Sequence, residues 1–224
     1  APLAAMVQPT AMLFTIIGHA HLEFLRDRRG VLQEKTSVLD TMPDDAVAFC
    51  NGDDDLLRAM TCRQRKVTFG RSAGCDVRAV DVRDLGDEGS TCTIIAGTRR
   101  IPVRISAYGQ HMVYAALEGA AVGIEYGLTD DEIIRGIAAY QPVGSRARVV
   151  RTARYTVIDD CYNANPQSMR AAVSVLADSL GEWKVAVLGD MLELGPFSPA
   201  LHSGVGECLG RAGICLLYTS PSPR

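Results

Sequence analysis

The chain has 224 residues, of which 47% are hydrophobic and 22% are charged. These proportions predict one or two folded domains and exclude a disordered, collagen-like or coiled-coil chain. Its 23 basic and 26 acidic residues give a net charge of -3, and the basic residues are scattered along the sequence. We therefore expect no nucleic-acid partner. We also expect no membrane partner, because no apolar run approaches the roughly 18 residues that cross a bilayer.

The seven cysteines include no C-x-x-C pair and follow no regular spacing. This pattern argues against a disulfide framework and against a zinc site. Free thiols indicate a reducing compartment, so we expect a cytoplasmic protein.

Residues 12–140 alternate between strand-like and helix-like patterns, which predicts an α/β fold built on a sheet. The predicted strands are 13–17, 46–50, 67–70, 77–82, 91–96 and 101–106. The predicted helices are 31–41, 54–62, 111–126 and 129–139, the last with Thr129 as its N-cap.

A Pro/Gly pair within residues 141–144 indicates a domain boundary, after which a second α/β series begins. Strands are predicted at 148–152, 155–160 and 184–188, with a helix after Pro166. The order strand, helix, strand predicts a parallel crossover. Residues 215–224 resemble a translated sequencing adapter or a disordered Ser/Pro tail, and we exclude them from the fold prediction.

His19 and His21 follow the first predicted strand, at an edge where α/β sheets bind ligands. Two imidazoles at this spacing could share a metal, but local hydrogen bonding is the commoner role of an isolated H-x-H. Lys35 lies within a predicted amphipathic helix, where its ordinary interpretation is a solvated lysine.

Three further runs place polar groups after predicted strands. Residues 51–54 (N-G-D-D) suit binding of a base or ribose, although a helix N-cap is the commoner role. Residues 158–169 combine paired acids with an Asn-rich loop, which favours a ligand, with a generic polar loop as the alternative. Residues 185–195 place Asp190 and Glu193 after a buried strand, with packing as the alternative.

Together these runs resemble the Mur ligase family, over nearly all of residues 10–214. The resemblance rests on residues 160–166 (D-C-Y-N-A-N-P) with Ser168 and Met169, and on residues 188–195 (L-G-D-M-L-E-L-G) with His202. These are similar to the family branch that adds D-alanyl-D-alanine. The resemblance implies a partial central ATPase domain over residues 1–142 and a partial Rossmann-like C-terminal domain over residues 143–214.

The activity implied is ATP-dependent ligation in peptidoglycan precursor synthesis. The carboxylate of UDP-N-acetylmuramoyl-tripeptide would form an acyl phosphate, which the amine of D-alanyl-D-alanine attacks. His21 matches a Mg²⁺-binding histidine, and Lys35 matches the lysine that Mur ligases carbamylate to hold Mg²⁺ beside ATP. Both are the implied catalytic residues, and the protein would act as a monomer.

The resemblance also implies nucleotide contacts. The matching positions would contact adenine, phosphates and ribose, or lie in the same loop; in this chain they are Asn51, Arg146, Asp160, Asn163 and Asn165. Asp190 and Glu193 would face the substrate.

The sequence also departs from the family pattern. Ile16, Met112 and Ala115 replace residues that are commonly asparagine, and no G-x-x-G-K-[ST] phosphate loop occurs. We therefore expect a fragment that lacks the N-terminal domain, the phosphate loop and the end of the C-terminal domain, and that is inactive alone. Two rivals stay open: another Mur or folylpolyglutamate-type ligase, and a non-catalytic nucleotide- or metal-binding scaffold.

Overall fold

The computed structural model describes residues 2–142, 144–214 and 216–219, and their architecture is the predicted α/β class. Helices and strands alternate through both parts of the chain. In chain order they are α1 (Pro2–Val7), β1 (Ala11–Phe14), α2 (Leu22–Leu25), α3 (Arg28–Thr36), β2 (Val47–Asn51), α4 (Asp55–Ala59), β3 (Arg65–Gly70), β4 (Val77–Asp84), β5 (Ser90–Ala96), β6 (Arg99–Ile105), α5 (Met112–Glu125), α6 (Asp130–Ala138), β7 (Arg148–Arg151), β8 (Thr156–Asp159), α7 (Pro166–Asp178), β9 (Val185–Leu188), α8 (Ser198–Arg211) and β10 (Leu216–Thr219). Short 3-10 turns occupy Ser37–Thr41, Gly86–Glu88 and Gly195–Phe197.

The first part of the chain forms one six-stranded sheet in the order β1-β2-β3-β4-β5-β6. Strands β1 to β4 pair in parallel, and β4, β5 and β6 pair antiparallel. The carboxyl ends of β1, β2 and β3 therefore meet at one edge of the sheet, which is where ligands bind in open α/β sheets.

Helices cover both faces of the parallel half, so its strands read as nearly continuous apolar runs. All five residues of β2 are buried. Val47 and Phe49 belong to a core cluster that includes α5 and α6. Ala48 and Cys50 belong to the opposite cluster, which includes residues of α2, α3 and α4.

The predicted elements of this part are found, although several differ in their bounds; the helix predicted over residues 54–62, for example, ends at Ala59. The first strand ends at Phe14 rather than residue 17, because the side chain of Asn51 donates to the Thr15 carbonyl where the ladder would continue. The helix predicted over residues 31–41 divides into α3 and the turn Ser37–Thr41. Thr129 caps α6 as predicted, in a reciprocal capping box with Glu132.

The second part differs from its predicted strand pairing. Strand β8 pairs antiparallel with β7, and β9 pairs in parallel with β10 across α8. The parallel crossover is therefore β9-α8-β10, one step later in the chain than predicted. Strand β10 also places four residues of the expected tail, Leu216–Thr219, in a sheet. The other positions of that tail, 215 and 220–224, lie outside the described residues.

The apolar side of α7 and α8 packs on β9 to form a separate core cluster. Its buried members are Val173, Ala186, Met191, Leu194, Val205 and Leu209. Among the helices that the structure describes, none has the length and apolar character needed to cross a bilayer.

Candidate functional site

The loop that follows β1 carries His21 against the second part of the chain. The imidazole Nδ1 of His21 contacts the carboxylate Oε2 of Glu193, which follows β9. The Glu193 carbonyl accepts a hydrogen bond from the Glu23 N–H at 3.0 Å. Two residues singled out separately in the sequence, His21 for a metal and Glu193 for substrate, therefore meet in the structure.

The neighbouring His19 contacts a different element of the second part. The side-chain amide of Gln167, in the first turn of α7, lies 3.3 Å from both the backbone nitrogen and the Nδ1 of His19. Burial lowers the pKa of His19, and the positive charges of Arg28 and Arg170 lower it further. We therefore expect a neutral His19 at pH 7.

Lys35 lies in the last turn of α3 and is exposed. With residues 12–17 it lines a cavity of about 140 Å³, at the end of β1. Within the described ranges its ammonium makes no hydrogen bond and no ion pair. Carbamylation requires a neutral amine, which burial favours, and the described residues leave Lys35 exposed.

Asn51 ends β2 and is buried. Its Nδ2 donates to the Thr15 carbonyl at 2.9 Å, and its Oδ1 accepts from the Asp53 N–H at 2.9 Å. The carboxamide thus fixes the turn after β2 and the exit of β1. One amide hydrogen and one lone pair remain for a ligand.

Asp54 is the N-cap of α4 and is buried. Its carboxylate accepts from the backbone N–H groups of Leu56 and Leu57, and also from the Ile17 N–H at 2.9 Å. The guanidinium of Arg28 reaches the same carboxylate and the Ile17 carbonyl. These bonds hold the residues just before His19 against α4.

Asp53, within the run 51–54 that the sequence singled out, is the centre of a polar cluster. Its carboxylate accepts from the backbone N–H groups of Arg71 and Ser72 and from the hydroxyl of Tyr114. Burial alone would raise the pKa of Asp53, but these hydrogen bonds together hold the pKa below its usual value. The sequence showed the carboxylate after β2 but not its partners, because these lie just after β3 and on α5.

Residues 144–147 and the loop after β8 pack together. The guanidinium of Arg146 lies over the ring of Tyr162, 4.1 Å from its centroid. Asp160 accepts from the Ala147 N–H at 3.0 Å. Desolvation lowers the pKa of His111, at the start of α5, and the negative charge of Asp160 partly opposes this. Arg146 and Asp160 are therefore neighbours, close to the first turn of α5.

The two asparagines of this loop differ in their roles. Asn165 is the N-cap of α7, and its side-chain oxygen accepts from the backbone N–H groups of Gln167 and Ser168. Asn163 is exposed, and among the residues that the structure describes it accepts only from the adjacent Ala164 N–H. The oxygen of Asn165 is thus committed to the helix, whereas Asn163 faces solvent.

His202, on α8, has a structural role beside the run that follows β9. His202 Nδ1 lies 2.8 Å from the Ser198 carbonyl, and its Nε2 accepts from the Met191 N–H. A carbonyl only accepts, so the proton of a neutral His202 is on Nδ1. Asp190 is exposed, and its carboxylate makes no hydrogen bond or ion pair within the described residues.

The Mg²⁺ expectation can be tested against these donors. In the part of the chain that the structure describes, no group of three or more His, Cys, Asp and Glu side chains could hold a metal ion. Mg²⁺ prefers six oxygen ligands, whereas His21 offers nitrogen and Lys35 a cation. The unmodified side chains therefore do not fit Mg²⁺.

Comparison with known proteins identifies the family. The Mur ligase middle domain model matches residues 1–123, which is more than half of the chain. The chain belongs to the Mur ligase family. A second model of the same family, the Mur ligase glutamate ligase domain, matches residues 145–224. These matches confirm the resemblance inferred from the motifs.

Individual Mur ligases are similar over nearly the whole chain. UDP-N-acetylmuramoyl-tripeptide–D-alanyl-D-alanine ligase of Bacillus subtilis is 31% identical over 97% of this chain and 47% of its own length. The same ligase of Escherichia coli is 34% identical over 94% of this chain and 47% of its own. The crystal structure of MurF ligase from Thermotoga maritima in complex with ADP has a TM-score of 0.84 and 25% identity, covering 97% of this chain and 50% of that one. The chain spans about half the length of the curated relatives it matches.

Proposed function

We propose that this chain is part of an ATP-dependent ligase that joins D-alanyl-D-alanine to UDP-N-acetylmuramoyl-tripeptide in peptidoglycan precursor synthesis. The observation that carries the proposal is the identity of 31% and 34% to two such ligases over nearly the whole chain. It is supported by the D-C-Y-N-A-N-P and L-G-D-M-L-E-L-G runs at residues 160–166 and 188–195. We propose that the protein is cytoplasmic, as its free cysteines indicate, and that it acts as a monomer.

Three groups of residues would share the reaction. The loop of residues 144–147, the loop after β8 and the start of α5 would hold the nucleotide, with Arg146 on its phosphates and Asp160 on its ribose. Their proximity supports this assignment. The ADP bound to the Thermotoga maritima relative supports a nucleotide in the same fold.

Asn51 would contact adenine with the amide hydrogen that its own turn leaves unused. Asn163, whose carboxamide is exposed, is the better candidate of the loop pair for a direct nucleotide contact. Asn165 would act through the start of α7, which it caps.

His21 and Lys35 would act at the acyl-transfer end. We propose that Lys35 is carbamylated, which would replace a cation with a carboxylate at the end of β1. Mg²⁺ would then require this carboxylate and the phosphates of ATP, since the unmodified side chains do not supply its ligands. Glu193 contacts His21, and with Asp190 it would face the substrate side.

The test is a phosphate-release assay on the product of the complete reading frame that contains this sequence. We expect release that requires ATP, UDP-N-acetylmuramoyl-tripeptide and D-alanyl-D-alanine together. Release with an amino acid or glutamate in place of the dipeptide would instead establish another Mur or folylpolyglutamate-type ligase. Nucleotide binding without phosphate release under any of these conditions would establish a non-catalytic scaffold.

Two variants sharpen this assay. Lys35→Ala should abolish phosphate release and weaken the response to added Mg²⁺, whereas Glu207→Gln, on the exposed side of α8, should change neither. Equal Mg²⁺ titrations of the Lys35→Ala and unsubstituted proteins would contradict the role of Lys35. The 224-residue chain alone should release no phosphate, because its sequence contains no G-x-x-G-K-[ST] loop to position the γ-phosphate.

A further inference from the structure

Gln167 is a side chain of α7 that reaches the loop carrying His21. Its Oε1 accepts from the His19 N–H, and its Nε2 lies 3.3 Å from His19 Nδ1. Both polar atoms of one amide therefore engage one residue of the other part of the chain. None of the residue roles implied by the family resemblance uses Gln167.

Gly18 on one side of this contact and the start of α7 on the other determine where the Gln167 amide lies. A Cβ on Gly18 would lie 2.6 Å from Gln167 Oε1, so only glycine leaves the amide its place. On the other side, the backbone N–H of Gln167 donates to Asn165 Oδ1 at 3.0 Å, in the first turn of α7. The start of this helix thus fixes where the amide lies.

The contact also determines where the proton of a neutral His19 lies. Because Gln167 Oε1 accepts from a backbone N–H, the amide nitrogen faces the ring and donates to Nδ1. The proton of His19 is then on Nε2. His202 is protonated on Nδ1, as its bond to the Ser198 carbonyl requires. The two histidines therefore have opposite tautomers in one molecule.

We propose that Gln167 is a positioning residue: it holds the loop of residues 18–21, and through it His21, in register with the start of α7. Helix α7 begins directly after the loop of Asp160 and Asn163. Movement of that loop when a nucleotide binds would therefore be transmitted to His21 through the Gln167 amide. The proposal rests on the proposed function only where it concerns catalysis, and the contact itself is measurable without activity.

The contact is tested on the 224-residue chain labelled with ¹⁵N, by long-range ¹H–¹⁵N correlation of its four histidine rings at about pH 8, where ordinary imidazoles are neutral. We expect His19 protonated on Nε2 and His202 on Nδ1. Gln167→Met and Gly18→Ala approach the contact from opposite sides. Each should shift the Nδ1 resonance of His19 and leave the resonances of His202 unchanged. The double variant should shift the Nδ1 resonance of His19 no further than the single variants do. Gln141→Met, at an exposed glutamine, is the matched control.

The catalytic arm uses the product of the complete reading frame. Gln167→Met should lower kcat about 10-fold while the KM for ATP stays within about twofold, the pattern of a group that orients a neighbour of the reacting site. Gln167→Glu keeps the acceptor oxygen and should recover part of the lost kcat.

Each outcome decides one point. Unchanged His19 resonances in both variants would overturn the positioning role, as would an unchanged kcat in an active Gln167→Met enzyme. Absence of ligase activity in the unsubstituted protein would contradict the proposed function, and the His19 resonances would still decide the role of Gln167.

Discussion

His21 and Glu193 touch across a sequence separation of 172 residues, and both have left-handed backbone conformations, with φ of 59° and 60°. Residues with a Cβ rarely adopt this conformation. The same two residues therefore share a side-chain contact and an unusual backbone at the point where the two parts of the chain meet. The Glu193 carbonyl, bonded to the Glu23 N–H, helps to keep this arrangement.

The backbone of Glu193 gives a first prediction. Glu193→Gly and Glu193→Ala both remove the carboxylate, but only glycine adopts a φ of 60° without strain. We expect the Gly variant to exceed the Ala variant by about 1 kcal/mol in the free energy of unfolding, measured in urea. Loss of the contact with His21 is common to both variants and should itself change this energy little, since the two side chains are 59% and 45% exposed. An Ala variant as stable as the Gly variant would show that residue 193 relaxes out of this conformation.

A second prediction concerns the carboxylate that anchors the start of the His21 loop. Asp54→Ala removes the N-cap of α4 and leaves the Ile17 N–H without its acceptor. We expect a loss of at least about 2 kcal/mol in unfolding free energy, the sum of a cap and a buried unpaired donor. The matched control is Asp55→Ala, whose exposed carboxylate binds the same Arg28. It should lose much less stability than Asp54→Ala, because its carboxylate is exposed, and equal losses would contradict the assigned role of Asp54.

A third prediction concerns pH. Burial raises the pKa of Glu118, on α5, to about 7. The folded state then keeps a proton that the unfolded chain releases, so stability should fall as pH rises from about 4.3 to 7. Glu118→Gln resembles the protonated form and should lack this fall.

Chemical unfolding at two pH values tests this. The Gln variant should match the unsubstituted protein most closely at about pH 4 and exceed it by about 3 to 4 kcal/mol at about pH 8. Glu207→Gln, at an exposed glutamate, is the control and should not change the pH profile. A pH profile of Glu118→Gln that parallels that of the unsubstituted chain would exclude a raised pKa.

A fourth prediction separates the two asparagines of the loop after β8. Asn165→Ala should cost about 1 kcal/mol of stability, because it removes an N-cap that serves two backbone donors. Asn163→Ala should leave the unfolding free energy nearly unchanged but weaken ADP binding, measured by calorimetry on the complete reading-frame product. The reverse pattern would mean that the structural and ligand roles of these residues are exchanged.

The fold was largely predictable because its local signals agree with its tertiary structure. The buried run of β2 and the Thr129 cap of α6 were both visible in the sequence and both found. The end of β1 was not predictable, because the side chain of Asn51 bonds to the Thr15 carbonyl where a backbone hydrogen bond of the sheet would otherwise form. The pairing of β8 and β9 was also misjudged, since a strand-helix-strand order does not specify which strands become neighbours.

The positions of the candidate residues at strand ends were predictable from the sequence, but their arrangement was not. His21 and Asp160 follow β1 and β8, and Asn51 is the last residue of β2. The contact of His21 with Glu193 and that of Gln167 with His19 join residues far apart in sequence, for which spacing carries no signal. The exposure of Lys35 likewise depends on what packs over the end of α3, which periodicity does not specify.

The sheet is parallel in one half and antiparallel in the other, and this division bears on the order in which the molecule folds. Strands β5 and β6 pair residues that are close in sequence, beginning with Ala96 and Arg99. Strands β1 and β2 pair residues that are far apart in sequence, such as Ala11 and Val47. Short loops close sooner than long ones, and hairpins form in microseconds. The antiparallel strands should therefore acquire amide protection first in refolding, and the parallel edge that carries His21 and Asn51 would then assemble last, on a scaffold already formed.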